Sequence, residues 1–452
     1  MEVKKNKMAT GKLLPLIISM SLPPIFSMLI QSLYNIVDSM FVAKISNEAL
    51  TAVSLAFPIQ NLILALSVGF GAGLNAFIAR KMGNKEQAAA DQAATIGVIL
   101  SVVHYLVVVV LGLLFGQAFL GIFSNNQEIL DLSNQYVVII IIFALGQSVQ
   151  ITIEKIFQAC GHMIEPMFFQ LIGAIVNVIL DPIFIFGWLG LPAMGVRGAA
   201  IATVIGQSCA MLAALIALKT RKLPVTFDFK NIKWDWQMIR EIYIISLPSF
   251  LLTSISSVMV SSINIILNGF SDLSVAVFGI YYKLQSFVYM PISGLVQGTL
   301  PIMSFNYGGK NKTRLLATLK ITLIIASTFS VIGMLLFWLL PNQIIGMFSS
   351  DPEILTLGKE VIQIISLSFF FGGLCFVFSS YFQATASPVF SLILTLLRQL
   401  FFVTSFAYLL SRIFGLTGVW WAFVLAESIT ALIALVMFKY DYGRKRIYHN
   451  KN

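Results

Sequence analysis

Between about residue 13 and residue 439 the chain is a succession of apolar runs, among them Val107–Phe115 and Val137–Leu145, separated by short polar breaks. No single motif restricts the fold as much as this pattern does. A helix crossing the hydrocarbon core of a bilayer takes about 20 mostly apolar residues, and its backbone amides must be satisfied within the helix. Runs of that kind fill nearly all of the 452 residues. Only 11% of the residues are charged, against about 25% in soluble domains, which is too few for a water-facing surface. The pattern predicts an all-α polytopic membrane protein.

Reading apolar runs between breaks places about twelve helices, near 13–37, 50–79, 93–117, 133–158, 163–187 and 196–218, then 238–267, 274–304, 315–340, 358–383, 388–411 and 416–439. The breaks alternate in charge. Lys4, Lys5, Lys7 and Lys12 precede the first helix, and Arg80, Lys81 and Lys85 follow the second. Lys219, Arg221, Lys222, Lys230 and Lys233 lie between the sixth and seventh, Lys310, Lys312 and Arg314 after the eighth, and Arg444, Lys445 and Arg446 after the twelfth. Gly116–Leu132 and Pro341–Leu357 contain no Lys or Arg. By the bias of positive charge, both termini face the cytoplasm. The net charge of +10 reflects these loops and implies no nucleic-acid partner. Met1–Lys12 lacks a small-residue cleavage pattern and reads as the start of an uncleaved first helix. Cys160, Cys209 and Cys375 stand singly in apolar surroundings and read as small buried hydrophobes.

The second half repeats the first. Ser21-Leu22-Pro23 meets Ser246-Leu247-Pro248 at an offset of 248 − 23 = 225. At the same offset Gly69, Gly73, Gly83 and Lys85 meet Gly294, Gly298, Gly308 and Lys310, and Phe157-Gln158-Ala159 meets Phe382-Gln383-Ala384. Gly121-Ile-Phe-Ser with Glu128-Ile-Leu meets Gly346-Met-Phe-Ser with Glu353-Ile-Leu. Gly195 and Gly198 meet Gly415 and Gly418 at 220. Chance likeness between apolar helices does not hold a constant offset over some 140 positions. Six helices per half insert both halves in the same orientation, which predicts two parallel six-helix repeats around a central cleft, a recurrent transporter plan. The expected division is an N-terminal lobe 1–218, a cytoplasmic linker 219–237 and a C-terminal lobe 238–452.

An ionisable group inside a membrane helix is costly, so each is a functional candidate. Asp38 follows Tyr34 by one turn at the end of the first helix, and Pro23-Pro24 should bend that helix upstream. Asn177 and Asp181 are four residues apart and share a face of the fifth helix. In the repeat Asp38 aligns with Ile263 and Asp181 with about Val403, so only the first half has this acid pair. Two carboxylates close together in a low dielectric resist joint ionisation, and such a pair can take up a proton or bind sodium through its oxygens. The structural alternative is that Asp38 caps its helix and Asp181 pairs with Arg197. Gln147, Gln150, Glu154 and Gln158 form a polar stripe on the fourth helix, which either lines the cleft or serves Glu154 paired with Lys155. Lys283 and Arg398 read as counter-charges to Glu427, and His104 as a packed neutral imidazole. No Walker loop, HExxH or GxSxG is present, so no enzymatic activity and no cofactor are expected, and an ion gradient must supply the energy.

These segments resemble the MATE (multidrug and toxic compound extrusion) family, in particular its MepA-like bacterial branch. The resemblance rests on SLPPIFSMLIQSLYNIVDSMFVAK, GFGAGLNAFIARKMG, NVILDPIFIFG and GVRGAAIATVIGQ, in that order, and covers nearly the whole chain. It implies efflux of cationic or lipophilic organic compounds by antiport with protons or sodium, across a bacterial cell membrane. By motif, Asp38 falls on the family's acid of the first helix with Tyr34 beside it, Asn177 and Asp181 on its fifth-helix pair, Thr203 on a sixth-helix site residue, and Pro23 on the proposed bend. The acidic residues that some members carry on helices seven and ten are not matched. Glu241 lies at the start of helix seven and Glu360 at the outer end of helix ten, so coupling is expected in the first half. The alternative function is a flippase for lipid-linked oligosaccharide or another lipid-like substrate.

Overall fold

The computed structural model describes residues 7–121, 126–348 and 351–449. Lys4 and Lys5, residues 122–124 of the repeated Gly-x-Phe-Ser motif, and Ser349 of its partner lie outside the described residues. Leu13–Ala43 forms α1, Asn47–Gly83 α2 and Gln87–Leu120 α3. Gln127–Ile142 and Leu145–Ala159 form α4, bent by 48° at the break. Ile164–Phe186 is α5, Val196–Thr220 α6, Trp236–Asn268 α7, Asp272–Gly308 α8 and Lys312–Leu339 α9. Pro352–Ser366 and Ser368–Ala384 form α10, bent by 43°. Pro388–Leu396 continues through a π-helical turn, Leu397–Phe402, into Val403–His449, and Gly415 breaks that long helix with φ 63° and ψ −145°. Residues 388–414 are therefore α11 and 416–449 α12. There is no strand among the described residues.

Among the described residues eight helices are long and apolar enough to cross a membrane, and ten are if each bent pair counts as one span. Pro388–Arg444 counts once in that tally although it holds 57 residues. At 1.5 Å per residue that is about 85 Å, far more than one crossing of a hydrocarbon core of about 30 Å. Asp272–Gly308 is long enough to cross at 37 residues but less apolar, interrupted by Lys283, Gln285 and Gln297. The first helix runs on to Ala43, beyond the expected end at 37, so Asp38 lies inside α1 and does not cap it. α1 also remains helical across Pro23 and Pro24.

The repeat is visible in backbone irregularities as well as in residue types. Ser46 (φ −168°, ψ 166°) caps α2 and accepts a hydrogen bond from Ala49 N, and Ser271 (φ −169°, ψ 154°) caps α8 and accepts one from Ser274 N. Lys85 and Lys310 both have positive φ, 62° and 54°. α4 breaks after Ile142 and α10 after Ser366, positions one residue away from the 225 offset. Gly195 (φ 54°, ψ −128°) opens α6 as Gly415 opens α12, a backbone region that a Cβ makes costly.

Contacts divide the chain into two compact units. One comprises Leu22–Phe250 and has a core of Val42, Ala56, Ile63, Tyr136, Ile140, Ile141 and Val196. The other comprises Met1–Ser21 with Leu251–Asn452, packed around Phe278, Tyr281, Phe369, Trp420 and Phe423. Within the second unit the N-terminal segment is firmly held. Met8, Ile17 and Met20 are buried, and Arg314 donates to the carbonyls of Met8 (2.8 Å) and Gly11 (2.6 Å). In both α1 and α7 the boundary between units falls within two residues of the repeated proline, Pro23 or Pro248.

Candidate functional site

The first unit brings together a set of polar groups in otherwise apolar surroundings. α5 and α6 approach backbone to backbone at glycines. A Cβ on Gly206 would stand 2.7 Å from the Gly173 carbonyl and 3.1 Å from Asn177 Cβ, and one on Gly198 would stand 2.5 Å from the Phe184 carbonyl. This close contact sets Thr203 of α6 against Asn177 of α5. The Asn177 amide donates to Asp181 Oδ1 at 3.2 Å and to Thr203 Oγ1 at 3.4 Å. All three residues are buried, Asp181 completely. Pro182 follows directly and removes the N–H that would bond the Val178 carbonyl, loosening the helix ladder beside the carboxylate.

Asp38 of α1 lies within electrostatic range of Asp181, and the neutral Tyr34 phenol lies near both carboxyls. Tyr136 of α4 completes the group. Its ring is buried, its hydroxyl accepts from Gln60 Nε2 at 3.0 Å, and it lies within the field of Asp38 and Tyr34 and in reach of the Thr203 hydroxyl. Sequence reasoning missed Tyr136 and Gln60. The repeat held a usable signal for the first, because Tyr136 aligns with the apolar Val361 at offset 225 just as Asp38 aligns with Ile263.

Three oxygens of this group are buried and have no hydrogen-bond donor: Asp38 Oδ1, Asn177 Oδ1 and Asp181 Oδ2. Among the described residues no Lys or Arg forms an ion pair with either aspartate. Arg197, the alternative partner of Asp181, donates instead to Gln135 Oε1 at 2.9 Å. The arrangement is a pair of carboxylates short of positive charge and of donors, which a proton or a small cation would supply.

The other candidates are arranged differently. Glu154 receives Gln150 (3.0 Å), Gln158 (3.0 Å), Gln170 (2.9 Å) and Lys155 (3.2 Å), all around one buried carboxylate. Its charge is matched and its oxygens are filled. In the second unit the Arg398 guanidinium donates to Glu427 Oε1 at 2.6 Å and lies 4.5 Å from the Phe376 ring centroid. Lys283 takes no part in that pair and is exposed on α8. His104 is packed against Phe70, with Nε2 2.7 Å from the Tyr243 hydroxyl. Arg80 at the end of α2 is paired with Glu241 at the start of α7, both within the first unit. Among the described residues no group of three or more His, Cys, Asp or Glu is placed to hold a metal. The three cysteines are free.

The family model described as MatE matches the chain twice, over residues 23–183 and 248–409, so each copy begins at a repeated proline. The chain is 28% identical over 416 residues to the multidrug export protein MepA of Staphylococcus haemolyticus, covering 92% of this chain and 91% of that protein. To MepA of Staphylococcus aureus strain MRSA252 it is 26% identical over 418 residues, with the same coverage. Among solved structures it is similar to an outward-facing multidrug resistance MATE transporter of the MOP superfamily, with TM-score 0.90, 25% identity and 99% of both chains covered.

Proposed function

The chain belongs to the MatE family of multidrug and toxic compound extrusion transporters, and from that premise we propose that it is a secondary active multidrug efflux transporter, exporting cationic or lipophilic organic compounds in exchange for protons or sodium ions. The staphylococcal relatives are multidrug export proteins, which supports the same reading. The observation that carries it furthest is the trio of buried, donorless oxygens on Asp38, Asn177 and Asp181. A proton or a sodium ion provides the missing partner. An organic cation competes for the same negative charge, so occupancy by one weakens binding of the other. That mutual exclusion is what turns two transport events into exchange.

In this reading Asp181 and Asp38 hold the coupling ion, while Asn177 and Thr203 fix the orientation of Asp181. Tyr34 sets a hydroxyl beside Asp38. Pro23, which lacks the N–H of a regular helix position, is where α1 bends when Asp38 changes charge. Glu154, Gln150 and Gln158 make a satisfied structural network and are not assigned to coupling. The chain acts as a multi-pass protein of the bacterial cell membrane. The positive-charge bias of the loops supports cytoplasmic termini. Exchange through such a site makes and breaks no bond beyond the reversible O–H of a protonated carboxylate, so no cofactor is called for.

The test is ethidium efflux in energised inverted vesicles, with proton and sodium gradients imposed separately on wild type and on Asp181→Asn. Efflux driven by one gradient in wild type and reduced at least about tenfold in the variant names the ion and places coupling at Asp181. Efflux by neither protein, with both present in the membrane, overturns the drug-transport reading in favour of a lipid-like substrate. Equal efflux by both removes Asp181 from coupling.

A further inference from the structure

Residues 221–235, between α6 and α7, are the longest non-helical stretch among the described residues, and the exchange reaction makes no use of them. The segment is nevertheless rigidly placed. Thr226 donates through N (3.0 Å) and Oγ1 (2.7 Å) to the Asp91 carboxylate, and Gln87 Nε2 donates to the Pro224 carbonyl at 2.7 Å. Asp228 N donates to Thr95 Oγ1 at 3.3 Å, Gln92 donates to the Lys233 carbonyl, and Val225 is buried. All these anchors lie on the first turns of α3, Gln87–Thr95. There the helix passes from QAAADQAA to the apolar TIGVIL. A strap fixed at that point lies at the depth where a bilayer has its headgroups.

The carboxylates around the strap are already engaged. Asp91 holds Thr226, Asp235 accepts from Met238 N at 3.0 Å, and Glu165 is shared by His162 and Arg221. Asp228 accepts from the Asn231 side chain and from the backbone N–H groups of Asn231 and Lys230, bonds that hold its carboxyl below the usual range. The cations are not engaged. Lys219, Lys222, Lys230 and Lys233 are exposed, and none forms an ion pair with a described carboxylate. Two stacked ring pairs accompany them, Phe227 with Phe229 between Lys222 and Lys230 and Trp234 with Trp236 just after Lys233, each with centroids 6.2 Å apart. Trp236 is 74% exposed, and Trp234 and Phe229 about half.

We propose that this strap is a binding surface for anionic phospholipid headgroups, its free ammonium groups meeting the phosphates and its paired rings lying among the glycerol and upper acyl atoms. Charge complementarity selects the occupant. Four unmatched lysines near a leaflet attract acidic lipid, while tryptophan rings with one polar edge settle at the interface. A soluble acidic partner would account for the lysines but not for large apolar rings held at the depth where α3 turns apolar.

The experiment uses the full-length protein in vesicles of phosphatidylcholine and phosphatidylglycerol, with bromine on the acyl chains of one lipid or the other. The fluorescence of Trp234 and Trp236 is read as the difference between wild type and Trp234→Phe/Trp236→Phe. At equal bromine content, brominated phosphatidylglycerol should quench that difference at least about twofold more than brominated phosphatidylcholine. The preference should vanish at about 0.5 M salt. It should also be lost in Lys222→Gln/Lys230→Gln/Lys233→Gln and kept in the corresponding Arg variant, which separates loss of charge from loss of fold. Equal quenching by the two lipids, or quenching by neither, overturns the proposal.

Discussion

Asp38 and Asp181 differ from Glu154 and Glu427 in what faces them. Glu154 has Lys155 and three glutamines, and Glu427 has the Arg398 guanidinium. The two aspartates have one asparagine amide between them and no cation among the described residues. Substitutions at the two kinds of site should therefore fail in different ways. Glu427→Ala leaves a buried guanidinium unpaired and is expected to cost about 3–5 kcal/mol, read as lost thermal stability in detergent. Replacing the pair together, Arg398→Met with Glu427→Leu, should recover most of that loss, and a double variant no more stable than the single one would contradict the assignment. At Asp181 the asparagine variant keeps the shape and should stay folded while losing exchange. A purely conformational case is Ala386, whose φ of 55° is matched by Gly161 with φ 84° at the same place in the first repeat. Ala386→Gly should stabilise the protein by up to about 1 kcal/mol and Gly161→Ala should destabilise it by a similar amount, both measured as shifts in Tm.

At the scale of elements, the site depends on how closely α5 and α6 approach. Gly206→Ala removes no polar group and adds one methyl group, yet that carbon would press on the Gly173 carbonyl and on Asn177. The helices must separate, which moves the Asn177 amide off Thr203. The expected cost is about 1–3 kcal/mol of stability, together with a loss of efflux larger than the loss of protein, seen by comparing transport with membrane abundance. Efflux falling only in step with abundance would show that the glycine contact is structural alone. The strap between α6 and α7 offers a pH test. Because its bonds hold the Asp228 carboxyl below the ordinary value, their contribution is fully present above that value and is lost as pH falls through the lowered one. Limited proteolysis at residues 221–235 should therefore accelerate only on acidification below about pH 4, and Asp228→Asn should remove that dependence.

Taken as a whole molecule, the chain distributes charge unequally between two similar backbones. Buried ion pairs elsewhere are balanced, while the Leu22–Phe250 unit holds two acids without counter-charge among the described residues. A site with two free carboxylates can carry at most two protons, so proton-to-drug stoichiometry from reversal-potential measurements should not exceed about two. A larger value would require a carrier outside Asp38 and Asp181. The architecture was legible because membrane helices announce themselves by apolar length and because the repeat keeps its offset in residue types such as Gly195 and Gly415. The breaks inside α4 and α10 were not legible. Nothing in Ile142-Phe143-Ala144-Leu145 or in Ser366-Leu367-Ser368 marks a bend, since neither stretch holds a proline or a glycine. The acid pair could be read from its asymmetry in the repeat. Tyr136 could not be read from its own surroundings, since a tyrosine at the edge of an apolar run is ordinary until its partners on α1 and α2 are known.

The placement of Met1–Ser21 with residues 251–452 has a consequence for how the protein is made. A segment translated early packs against segments translated much later. Met8, Ile17 and Met20, buried in the finished protein, have no lasting partners until some 230 further residues have been synthesised. At about 5–20 residues per second that interval is on the order of ten to fifty seconds. Until then the start of α1 stands apart from the Leu22–Phe250 unit, without the residues it finally packs on. During that interval it presents an unfinished helix surface to the insertion machinery and to neighbouring chains, and quality control would act on it there.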